Sequence, residues 1–80
     1  MKLCAGLYRI PDMLSSNFSF PKGYKITNHT DKKIAVEATG VNRFFGYLPK
    51  DESICLWLEE GMLLNVDGTV EIVPFDPDKN

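Results

Sequence analysis

Catalysis needs groups that converge, and this 80-residue chain has few to bring together. Its one histidine, His29, falls in the polar string His29-Thr30-Asp31-Lys32. A solvated turn side chain is the ordinary role there, with no nucleophile nearby in sequence for a general base to activate. Two cysteines, Cys4 and Cys55, sit far apart in apolar segments. A thiol becomes a strong nucleophile when its surroundings lower its pKa, and Cys55 beside Trp57 reads instead as core packing. No CxxC pair and no Cys/His spacing occurs, so a tetrahedral zinc site lacks its ligand set. Glu59 and Glu60 are adjacent, and adjacent strand residues point to opposite faces rather than forming an acid–base pair. Glycine-rich phosphate loops are absent. The expectation is a protein that is not an enzyme, with no catalytic residue, no metal and no cofactor.

The segment Asn42-Arg43-Phe44-Phe45-Gly46-Tyr47 offers more. On a strand, Phe45 and Tyr47 share one face and Phe44 takes the other. One face must be core. Assigning Phe45 and Tyr47 inward leaves Phe44, with Arg43 beside it, partly exposed as an interface residue. The opposing reading makes all three rings core, which a domain short of apolar material needs. The candidate partner-binding residues are Arg43, Phe44, Tyr47, Lys25 and Lys33. Such a set fits an anchor in a protein interface, where aromatic and arginine side chains are enriched. It also fits a platform on which single-stranded bases stack.

Charge bears on that choice. The net charge is −2, unevenly spread. Residues 22–50 carry six basic side chains against Asp31 and Glu37, whereas residues 51–80 carry eight acidic ones against Lys79. The asymmetry marks either a binding face or two halves of a fold that complement each other. A basic surplus is the usual footprint of nucleic-acid binding, so a nucleic-acid partner is the lesser expectation.

The elements that must position these residues are short strands. Leu3–Ile10 is nearly all apolar, as in a well-buried strand, and Pro11 ends it. Tyr24–Asn28 alternates with Tyr24 and Ile26 on one side, after a turn through Pro21-Lys22-Gly23. In Lys33–Thr39, Ile34, Val36 and Ala38 alternate with polar or small residues, and Asn42–Leu48 returns after Gly40. Pro49-Lys50-Asp51-Glu52 is a surface turn. Ser53–Glu60 reads as a strand with Ile54, Leu56 and Leu58 on one face and Cys55 and Trp57 on the other. A helix there would place Glu59 and Glu60 at the negative end of its dipole. Asp67-Gly68 suits the two positive-φ positions of a type I′ hairpin, pairing Leu63 with Ile72 and setting Leu63, Val70 and Ile72 in the core. Residues 11–23 form a long connection for so small a domain, and a candidate functional loop.

The pattern predicts an all-β fold: a small antiparallel meander of six to eight short strands closing into a barrel or two-layer sandwich, with room for one short helix at 53–60. Residues 1–73 are one β domain, and 74–80 an acidic, proline-containing tail unable to pair inside a sheet. The composition, 44% hydrophobic and 25% charged, is that of a globular chain rather than a disordered one. No apolar run reaches the ~18 residues of a membrane span, and Arg9, Pro11 and Asp12 cut short any secretory start. The glycosylation triplets at Asn17 and Asn28 then have no role. The expected location is the cytoplasm, with Cys4 and Cys55 reduced and buried. By elimination, the expected function is a non-enzymatic intracellular module that binds another protein. Inhibitors and adaptors, including those carried by phages and mobile elements, are chains of this class. Single-stranded nucleic-acid binding by a small barrel and a structural or assembly role are the alternatives, and a homodimer is a further option.

Overall fold

The computed structural model describes residues 2–10, 22–41 and 43–75. They form eight strands: β1 Lys2–Leu3, β2 Gly6–Arg9, β3 Lys22–Asn28, β4 Ile34–Thr39, β5 Phe44–Leu48, β6 Ser53–Leu58, β7 Leu63–Val66 and β8 Val70–Pro74. Two antiparallel four-stranded sheets result, β1-β8-β3-β6 (sheet A) and β2-β7-β4-β5 (sheet B). The all-β sandwich of short strands is as the alternation predicts, with strand rather than helix through 53–58.

The connectivity follows one rule. β1 pairs with β8, β2 with β7, β3 with β6 and β4 with β5. The strands thus form a single long antiparallel ribbon, doubled back between β4 and β5. Successive segments of the ribbon fall alternately into sheet A and sheet B. The pairings of β3 with β8 and of β4 with β7 then complete each sheet. This is the strand order of a jelly roll. Only β4 and β5 are both consecutive in the chain and paired, so the fold is not built from sequential hairpins.

Asp67-Gly68 shows why. β7 lies in sheet B and β8 in sheet A, so the dipeptide crosses between sheets and is not a hairpin tip. Neither residue has the positive φ that a type I′ turn demands; the non-glycine residue that does is Asp51, at 62°. Asp67 N–H instead continues the ladder to β4, donating to the Ala35 carbonyl at 3.0 Å. Gly68 is needed for clearance: a Cβ there would stand 2.8 Å from Ile34 Cγ2 and 2.9 Å from Thr30 Cγ2. Leu63 accordingly faces outward, and its neighbours Leu64 and Val66 enter the core with Val70 and Ile72.

Three other boundaries depart from the sequence reading. The apolar run Leu3–Ile10 is two strands, because the chain changes sheets at Cys4-Ala5. Lys22 and Gly23 are not a turn; they open β3 and pair with Leu58 and Trp57. β8 runs through Pro74, which lies opposite Tyr24, and Phe75 N–H then donates to the Gly23 carbonyl at 2.9 Å. At that end β1 no longer flanks β8, so the missing proline N–H leaves no ladder bond unmade. The loop expected at residues 11–23 falls mostly outside the described residues, as do Asn17 and the tail beyond residue 75.

The core lies between the sheets: Leu3, Tyr24, Ile26, Ile34, Val36, Ala38, Leu48, Leu58, Leu64, Val66, Val70 and Ile72 from the strands, with Ile10 and Met62 from their ends. One polar residue is buried with them. Asn28, fully inaccessible, ends β3. Its Nδ2 donates to the Lys32 and Leu48 carbonyls, both at 2.8 Å, and its Oδ1 accepts from Thr30 N–H and Thr30 Oγ1, both at 2.7 Å. All four of its hydrogen-bonding positions are used. They fix the crossing from β3 to β4 and tie it to the end of β5.

Candidate functional site

The side-chain parity of β5 is the reverse of the sequence expectation. Leu48 is buried, and with a period of two that turns Gly46 and Phe44 inward as well. Phe44 is half-buried and packs against the core. Its ring lies over Gly46, where a Cβ would approach Phe44 Cζ to 2.9 Å. Phe45 and Tyr47, placed inward by the sequence reading, point to solvent at 56% and 61% exposure. The available signal was the glycine, which makes room for a neighbouring ring on its own face.

These two rings belong to the outer face of sheet B. They meet edge-to-face with centroids 5.6 Å apart, a favoured aromatic geometry. Lys33 Nζ lies 5.1 Å from the centre of the Tyr47 ring, within cation–π range. Across the sheet, Phe45 lies opposite Glu37, Glu37 opposite Asn65, and Asn65 opposite Leu7. Arg9 and Leu63 form the neighbouring pair. The face thus has an aromatic end at β5, a polar middle, and an aliphatic end at Leu7 and Leu63. It holds four of the seven large hydrophobic residues that are exposed among those described.

The other candidates do not join it. Lys25 lies on the outer face of sheet A, opposite Cys55 and Val73. Arg43 and Phe44 line a recess of about 190 Å³ with Ala38, Cys55, Leu56, Trp57 and Met62, where the edge strands β5 and β6 flank the gap between the sheets. The five predicted residues therefore divide into three groups: Lys33 with Tyr47, Arg43 with Phe44, and Lys25 alone. Phe45, Leu7 and Leu63 were missed as surface residues, because alternation specifies two faces without saying which is inside.

Cys4 and Cys55 are unpaired, and both are exposed rather than buried. Cys55 shares its outward face with Trp57, itself 51% exposed, so this pair is surface and not core packing. Trp57 Nε1 donates to Glu59 Oε2 at 3.1 Å. His29 sits at the sheet crossing with Nε2 3.9 Å from Glu71 Oε1. Among the described residues, no three His, Cys, Asp or Glu side chains are grouped to hold a metal ion. No described helix is long and apolar enough to cross a membrane. The strands of the acidic half hold little of its charge: β6 and β7 have no charged residue and β8 has only Glu71.

No family model matches the chain, and searches of the curated proteins and of the solved structures return no match.

Proposed function

We propose that the protein is a non-catalytic binding module of inhibitor or adaptor type, and that it receives another protein on the outer face of sheet B. The observation that supports this is that one face carries four exposed large apolar residues, Phe45 and Tyr47 at one end and Leu7 and Leu63 at the other, with Glu37 and Asn65 between them. Most of the exposed large apolar side chains described lie on this face, and aromatic side chains with a polar surround are enriched in protein interfaces. Rigid rings held by a neighbouring ring and a lysine lose little freedom on binding, which favours them as anchors. The two unpaired surface thiols suit a reducing compartment, so the cytoplasm is the proposed location.

Affinity capture from the native host, followed by mass spectrometry, tests the face. A Leu7→Ser/Phe45→Ser variant should lose the partner captured by the wild-type chain. A Trp57→Ser/Val73→Ser variant, altered on sheet A, should retain it. Loss with the sheet A variant alone would overturn the assignment.

A further inference from the structure

We propose that β5 is the seam of a two-fold homodimer, its open edge pairing antiparallel with β5 of a second copy about Gly46. Among the described residues β5 is hydrogen-bonded to β4 and ends sheet B. Natural edge strands are protected by charge, proline, a bulge or extreme shortness. β1 has only two residues, and β2 has four and carries Arg9. Phe44–Leu48 has neither a charge nor a proline within it.

The residues of β5 complement themselves. Pairing about Gly46 sets Phe45 opposite the partner's Tyr47 and Phe44 opposite the partner's Leu48, each contact occurring twice, as a two-fold interface requires. No like charges meet. Arg43 comes level with the partner's uncharged Pro49. A two-fold pairing of β6, the other uncharged edge, centred between Cys55 and Leu56 sets Glu59 against the partner's Glu52, acid on acid. Charge thus disfavours a second copy on β6, whereas on β5 the two copies meet through uncharged and mutually complementary side chains. The dimer would join two copies of sheet B into one eight-stranded sheet and bring their aromatic ends together. It does not rest on the protein-binding role proposed above. A five-residue seam falls short of the ~1,200 Å² typical of stable interfaces, so the association is weak and concentration-dependent.

Sedimentation equilibrium on the full chain, up to about 1 mM protein, tests it through complementation. The wild type should show a monomer–dimer equilibrium. Phe45→Lys alone and Tyr47→Glu alone should each weaken it at least about tenfold, because each spoils both copies of the cross-strand pair. An equimolar mixture should recover a heterodimer. It retains one Phe45–Tyr47 pair and gains one lysine–glutamate pair. Both substituted side chains are exposed, so the fold is retained, as circular dichroism would check; if either variant unfolds, Phe45→Glu with Tyr47→Lys makes the reciprocal pair. A wild type monomeric throughout would overturn the proposal. So would single variants as dimeric as the wild type, or a mixture that fails to recover.

Discussion

The ring of Phe44 lies across Gly46, two residues along the same strand, so closely that a Cβ at 46 would stand 2.9 Å from Phe44 Cζ. The glycine is the space the ring occupies. With Leu48 buried beyond it, this fixes which face of β5 turns inward.

Adjacent phenylalanines should therefore differ sharply in their contribution to stability. Phe44→Ala removes a ring packed on the core and should cost about 2 kcal/mol, less than a fully buried phenylalanine. At this chain length that lowers the Tm by roughly 8–16 °C. Phe45→Ala should stay within about 0.5 kcal/mol. Thermal melts at dilute protein compare the two, and the opposite ranking would mean the strand faces the other way.

Asn28 gives a second expectation. Its side chain serves the Lys32 and Leu48 carbonyls and takes two bonds from Thr30. Asn28→Ala leaves carbonyls without donors near the core and should cost about 3 kcal/mol in denaturant titrations. Asn28→Asp sets a carboxylate against two carbonyl oxygens, which raises its folded-state pKa above the unfolded value. Protonation then favours the fold, so this variant should gain stability relative to wild type as pH falls through the carboxylate range. A variant indifferent to pH would argue against the contact.

At Gly40, φ is +139°, and a Cβ would meet Met62 Cγ at 2.7 Å and Met62 Cα at 3.1 Å. The backbone conformation and the crowding both oppose a side chain. Gly40→Ala should destabilise by about 2 kcal/mol. A melting curve unchanged from wild type would show that Gly40 does not pack against Met62.

Both thiols should react quickly with a disulfide reagent in the folded protein, since Cys4 and Cys55 are exposed and unpaired. Two equivalents released before any unfolding is the expected result. A slow phase that tracks unfolding would place a thiol in the interior.

Strand positions were largely legible from the sequence, for a physical reason. A half-buried strand must alternate, and Tyr24/Ile26, Ile34/Val36/Ala38 and Ile54/Leu56/Leu58 do so, each set sharing the inward face, although the sequence reading places Cys55, on the opposite face of β6, in the core. Alternation says nothing about which strand lies alongside. Asp67-Gly68 has the composition of a tight hairpin, but β7 and β8 bury their apolar faces from opposite sheets, and the dipeptide serves as a crossing. The site was legible only in part, because β5 carries apolar residues on both faces. There Gly46 and Leu48, rather than hydrophobicity, decide orientation.

The pairing of first strand with last has a consequence for how the protein is made. β8, residues 70–74, lies inside sheet A between β1 and β3. Until the ribosome has released those residues, β1 lacks its paired strand, β3 lacks one of its two neighbours, and the core lacks Val70 and Ile72. Only the β4–β5 hairpin can form from neighbouring sequence alone. The sandwich therefore closes only once residues 70–74 are free to pair, and it does so at the slow rates typical of non-local β pairing.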